Sequence, residues 1–297
     1  MFAESAMTDR ATEPFRWWFL PSWLGLDAPC VVLTWTWATS RSSDVTLPIR
    51  PAAALFLVVW SIYLSDRLID VARCRDWTHA TGRLQFGRNW RPLFWTCLCC
   101  CVTSILAIFW AGLPLEVLGR AVAVGLGVGL HFLAFVIPVF LREKLYGKEF
   151  GVGLFFALGT YSCLGVTPET LPMYGSIAVV VAFNCLIIAA RDASSDRAND
   201  PGGASRWWQN MNRDLFWIGV VLTLAATFAA ILASAMPFYL SLAAAFASLT
   251  MLHRYAIRLS GDALRAMADF ALFTPIAVIG CNELLRNMLS GESYVSS

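Results

Sequence analysis

The sequence predicts an all-α, polytopic membrane protein, a bundle of about nine transmembrane helices around a central cavity, on three observations. The chain has 297 residues, of which 58% are hydrophobic and only 14% charged. Its mean hydropathy is +0.62, far outside the balance of soluble domains. Apolar runs close to the roughly 20 residues that cross a bilayer recur along the whole chain, where a barrel would show short alternating strands. A single transmembrane domain over 1–297 accounts for these runs, with an interfacial segment at 1–22 and a tail at 286–297.

The first twenty residues mix Glu4, Asp9, Arg10 and Glu13 with short apolar pieces. They lack the positive start and continuous apolar centre of a cleavable signal. Arg16-Trp17-Trp18-Phe19 reads as an interfacial anchor. Spans are then expected at about 23–40, 51–70, 92–113, 121–141, 149–166, 174–190, 215–236, 238–253 and 266–285. The first is the weakest, being short and carrying Asp27. Gly125, Gly127 and Gly129 in the fourth, Pro138 near its end and Pro275 in the ninth read as packing and kink positions.

Arginine and lysine set the orientation. With a cytoplasmic N-terminus, the inner segments hold Arg73, Arg75, Arg83, Arg88 and Arg91, then Arg142, Lys144 and Lys148, then Arg191, Arg197, Arg206 and Arg213, then Arg254, Arg258 and Arg265. The outer segments hold Arg41, Arg50, Arg120 and Arg286. The expected location is therefore the inner, cytoplasmic membrane. A net charge of +2 with dispersed basic residues excludes a nucleic-acid footprint.

Nine cysteines lie mostly inside apolar runs. Cys97 and Cys100 form a CxxC, but there is no second such pair and no neighbouring histidine, so these thiols are read as small packing residues. His79, His131 and His253 are scattered and give no zinc spacing.

The chemistry is expected where apolar spans end in carboxylates. Asp66 and Asp70 close the second span; Asp192 and Asp196, with Asp200 beyond, close the sixth. Residues four apart share a helix face with β-carbons about 5 to 6 Å apart, so each pair can hold one object. The same spacing separates Asp66 from Asp192 and Asp70 from Asp196, as an internal duplication would leave. An even number of crossings lies between the pairs, which puts both on the cytoplasmic face. Four carboxylates meeting at a membrane surface demand a divalent cation. Mg²⁺ completes its shell with water and phosphate oxygens, which points to a diphosphate substrate.

With these residues the chain resembles the UbiA superfamily of intramembrane prenyltransferases. That family is similar in its nine or so helices, an NxxxDxxxD motif after the second and a DxxxD motif after the sixth. Asp66 and Asp70 match the first motif, and Asp192 and Asp196 match the second within NCLIIAARDASSDRAND, which Asn184 opens. LREKLYGKEF, after the fourth span, sits where the family places diphosphate- or acceptor-binding cations. Ile62 departs from the pattern: it stands where the first motif carries asparagine and supplies no oxygen ligand.

The resemblance implies a Mg²⁺-dependent transfer of a prenyl group from an allylic prenyl diphosphate to an aromatic or lipid acceptor. Asp66, Asp70, Asp192 and Asp196 would be the catalytic metal ligands. Arg67, Lys148, Arg191, Arg197 and Asn184 would bind the diphosphate. The partners it implies are the prenyl diphosphate, a lipophilic acceptor and membrane lipid. Tyr63, one turn before Asp66, is read as an interfacial tyrosine and Asp269 as the local partner of Arg265. NDPGGASRWWQN reads as a turn-rich connection that could cover the site.

Two other functions share some of these features. DRLIDVAR partly resembles the DxxDGxxAR opening of CDP-alcohol phosphotransferases, but it lacks the glycine and has no acidic cluster immediately downstream. A transporter or ion-conducting protein also carries intramembrane acids, though typically near the midplane beside broken helices.

Overall fold

Backbone amides and carbonyls find no water in hydrocarbon, so an apolar chain must satisfy them internally. Here it does so with helices. The computed structural model describes residues 17–74, 77, 81–136, 147–199, 204 and 208–290, without the side chains of 132, 134–136, 193–199, 257 and 290, and no strand occurs among them. After a helical turn at Trp17–Phe19 and Leu20–Trp23 come α1 (Asp27–Ser42), α2 (Ile49–Arg73), α3 (Gly82–Asn89), α4 (Arg91–Trp110), α5 (Leu115–Val136) and α6 (Lys148–Leu164). They are followed by α7 (Thr170–Asn199), α8 (Met211–Leu232), α9 (Met236–Tyr255), α10 (Gly261–Ala271) and α11 (Thr274–Ser290).

Among the described residues six stretches are long and apolar enough to cross a membrane: α2, α4, Thr170–Asp192 of α7, α8, α9, and Gly261–Leu289. The protein is therefore a polytopic all-α membrane protein. The last of these stretches is interrupted at Leu272 and Phe273. Pro275 opens the new helix, where its missing N–H breaks no bond. The sequence predicts one continuous ninth span; instead α10 is a separate short helix.

α7 is the central helix. Of its apolar window 61% is buried in the protein, against 11% for α4 on the rim. α1 is also interior: Val32, Trp35, Thr36 and Ala38 are fully buried. This explains its weak hydropathy signal, since a helix enclosed by protein tolerates threonines that lipid would not. Thr36 and Thr160 join α1 to α6 through hydroxyls 3.1 Å apart, one of the interhelical polar bonds that hold membrane bundles where hydrophobicity alone cannot.

α6 and α7 approach closely at Gly153. A β-carbon there would lie 2.2 Å from the Ala178 carbonyl oxygen and 2.9 Å from the Ala182 nitrogen. Backbone cannot retreat as a flexible side chain can, so Gly153→Val is expected to destabilise the protein by about 3 kcal/mol or more. A loss of detergent-solubilised melting temperature checks this; a melting curve superposable on the wild type would contradict the close crossing.

α3 was not expected as an element. Thr81 starts it, its hydroxyl accepting the Leu84 amide, and Phe86 fixes it against Trp23 and Phe94, with ring centroids at 5.2 and 6.1 Å. Of the aromatic N-terminal anchor, only Trp17 is exposed; Phe19 is buried against Trp23.

At one end of the bundle Arg41 pairs with Glu283 at 2.5 Å. There too Arg50 donates to the Ala111 and Gly112 carbonyls closing α4, and Arg120 to that of Ser162 in the last turn of α6. These arginines serve helix ends and a local acid. The other end gathers the site.

Candidate functional site

The α2 residues fall as the helical period requires. Arg67 is 6% exposed, because it lies on the face that α2 turns inward with Leu64 and Leu68. Asp66 and Asp70 flank it, partly exposed. Asp70 has Asp66, Arg83, Arg67 and Lys148 as its charged neighbours, and Arg83 Nη2 stands 4.0 Å from its Oδ2. Lys148 starts α6.

Arg83 is the first residue that sequence reasoning missed. α3 carries it inward, and burial pushes its pKa down to about 9, helped by the nearby Arg265 and Arg67 and opposed by Asp70 and Asp66. It remains a cation at neutral pH. The only local signal was the Thr81 cap of an eight-residue helix.

Arg265 is the second. The sequence reads it as the partner of Asp269, one turn along α10. It instead reaches across to α7 and pairs with the Asp192 carboxylate through Nη2 and Oδ2, both side chains being less than a fifth exposed. Arg265, paired with Asp192 of α7, also stands near enough to Arg83 to repel its guanidinium group, and Arg83 in turn faces the α2 acids. Asp66, Asp70 and Asp192 come to one end of the bundle. Asp196 and Arg197 lie on the last turns of α7, where side chains are outside the described residues, as are Asp200, Arg142, Lys144 and most of the two basic connections.

Arg191, next to Asp192, turns elsewhere. Its Nη2 donates to the Leu259 carbonyl at 3.0 Å. It also lines a cavity of about 460 Å³ with Arg213, Arg254, His253 and Trp217. That cavity faces α8 and α9 and contains none of the acidic motif residues.

Asn184 lies deeper on α7. Its Nδ2 donates to Asp269 Oδ1 at 2.9 Å, so it is bonded to a carboxylate and not turned to the end that gathers Asp66 and Asp70. Asp27, which opens α1, brings its carboxyl within hydrogen-bonding range of Asp269. Tyr63 is close to both acids. Glu149 is buried beside this region and accepts the Ala204 amide at 3.0 Å, which ties the α7–α8 connection to the start of α6.

Does this end suit magnesium? Among the described residues no three His, Cys, Asp or Glu side chains form a cage. Mg²⁺ needs less: one or two carboxylates, with water and phosphate oxygens completing an octahedron. Asp66 and Asp70 offer that oxygen-only pair. Beside them the Arg67 Nε is buried and has no hydrogen-bond partner, as a group waiting for a phosphate oxygen would be. The α2 half therefore fits the ion with its anion, while on the α7 half Asp192 already holds Arg265.

Compared with protein-family models, curated proteins and solved structures, the chain matches none.

Proposed function

We propose that this protein is a Mg²⁺-dependent intramembrane prenyltransferase, moving the prenyl group of an allylic diphosphate to an aromatic or lipid acceptor as the resemblance to the UbiA superfamily implies. One observation carries the reading: Asp66, Asp70, Arg67 and Arg83 meet at one end of the bundle, near the ion pair of Arg265 with Asp192. Four helices, remote in sequence, supply oxygen ligands and guanidinium groups to the same place. In this reading α1, α2, α4 to α9 and the α10–α11 pair are nine crossings around a cavity open to the cytoplasm. The basic connections put that end, and the N-terminus, inside.

The bond between the allylic carbon and the diphosphate oxygen breaks, and the diphosphate leaves with the electron pair. The new bond forms from an electron-rich carbon or oxygen of the acceptor, which then gives up a proton. Asp66 and Asp70, with Asp192 and Asp196 of α7, would hold Mg²⁺, which would supply positive charge against the departing diphosphate. Arg67 presents its free Nε to a phosphate oxygen, a charge-assisted bond of the strong kind. Arg83 and Lys148 add positive potential at the same end, to which Arg197 would contribute, while Arg191 is engaged by the Leu259 carbonyl. The apolar faces of the surrounding helices enclose the isoprenoid and keep out the water that would quench the allylic cation.

Purified protein incubated with labelled prenyl diphosphates, Mg²⁺ and a lipid extract is expected to yield a prenylated lipid, and the Asp66→Ala and Asp192→Ala variants to yield none. Product that persists in both variants would remove the assigned site. Ion flux in liposomes with no turnover of any diphosphate would replace the reading by transport.

A further inference from the structure

The cavity beside Arg191 lies at the polar end of the α7 span, between the first turns of α8 and the last turn of α9. Three cations line it from three helices: Arg191 of α7, Arg213 of α8 and Arg254 of α9. No carboxylate lines it. Of the acids adjoining these arginines in the chain, Asp214 is bonded to Trp208 and Arg213, and Asp192 is held by Arg265. Arg213 is therefore compensated in part, whereas Arg191 and Arg254 have no carboxylate partner among the described residues. Arg191 is partly buried and fixed in place by the Leu259 carbonyl, and its Nε is buried with no hydrogen-bond partner. Across the cavity the His253 Nε2 stands 2.8 Å from the Asn212 carbonyl oxygen, which ties the turn carrying Arg254 to the one carrying Arg213.

A guanidinium group withdrawn from water without a counter-charge is costly. An anion in the cavity would supply that charge. The surroundings say which kind. α8 and α9 are both spanning stretches, and the ends of spanning helices stand at the level of the lipid headgroups. From the cavity an apolar stripe runs down α8: Trp217, Val221, Leu224 and Phe228 follow at intervals of four, three and four residues, which is one helix face. Each is between 61% and 64% exposed. Trp217 belongs to both the stripe and the cavity. A soluble anion would use the arginines alone, whereas a phospholipid would use both features, its phosphate at the arginines and its acyl chain along the stripe. Basic pockets between the ends of spanning helices suit anionic headgroups. The volume, about 460 Å³, falls within the roughly 300–1,000 Å³ of small-ligand sites.

We propose that this cavity binds the phosphate of an anionic phospholipid headgroup, with an acyl chain lying along α8. The site is separate from Asp66 and Asp70, and it does not depend on prenyl transfer.

Native mass spectrometry of the delipidated, detergent-solubilised chain, titrated with dioleoyl phosphatidylglycerol or dioleoyl phosphatidylcholine, tests this. The first phosphatidylglycerol is expected to bind at least about fivefold more tightly than the first phosphatidylcholine, whose ammonium group meets the arginines as a like charge. Arg213→Gln with Arg254→Gln is expected to weaken binding of the first phosphatidylglycerol about 20-fold, roughly fivefold for each arginine at an anionic headgroup. Both side chains are exposed, so the double variant is expected to melt close to the wild type. Arg41→Gln with Arg50→Gln makes the same charge change at the opposite end of the bundle, farther from the cavity than charges act through salt, and is expected to leave that affinity within about twofold. Equal losses in the two double variants overturn the proposal, because net charge and not the cavity would then attract the lipid. Equal affinities for the two lipids overturn it as well. So does displacement of phosphatidylglycerol by equimolar glycerol phosphate or inorganic phosphate, which would make the occupant a soluble anion.

Discussion

Replacing Asp66 and Asp70 together by asparagine is expected to lower prenyl-diphosphate turnover at saturating Mg²⁺ by about 10²–10³-fold, the range seen when a preorganised group that stabilises developing charge is removed. The shape is kept and the charge is lost. The single variants are expected to differ. Asp70 already faces Arg83 at 4.0 Å, so Asp66 is the freer ligand and Asp66→Asn should cost more than Asp70→Asn. Initial rates over a Mg²⁺ series with each variant test this. A double variant within about fivefold of the wild type, or a ranking with Asp70 far above Asp66, would move the metal elsewhere.

Replacing Arg265 by methionine is expected to destabilise the protein by about 3–5 kcal/mol, because Asp192 would remain as an uncompensated charge in a mostly buried place. The compensating experiment is Asp192→Asn on the same background, which removes the stranded charge and should recover most of the loss. Melting in detergent or resistance to proteolysis reads both. If Arg265→Met melts like the wild type, or if the second substitution recovers nothing, the link between α10 and α7 is not what holds this end together. The effects of the two residues should be strongly non-additive, since they share one interaction.

Local signals carried the helices and their acidic ends. The run before Asp66 is long and apolar, and a four-residue interval places Asp66 and Asp70 on one side of α2 wherever the helix packs. The membrane character followed from the same runs, and the structure keeps six of them as clear spanning stretches. What was not legible is where side chains go after leaving their own helix. Arg265 has an acid one turn away, yet its ion pair lies 73 residues back in the chain. Asn184 finds Asp269 across 85 residues. No periodicity encodes such pairings, because they depend on how three helices are rotated about their axes. α1 was read as the weakest span for a different reason: hydropathy measures affinity for lipid, and α1 is surrounded by protein. α3 was hidden in a short polar connection whose helical character rests on one cap and the aromatic contacts of Phe86.

The interruption at Leu272 and Phe273 frees α10 from the rigid rod of α11. Asp262, Arg265 and Asp269 all ride on this eleven-residue segment, so a small roll about its axis would shift the three in concert. The Arg265–Asp192 ion pair and the Asn184–Asp269 hydrogen bond would then shift as a single lever, with the two-residue gap as its fulcrum.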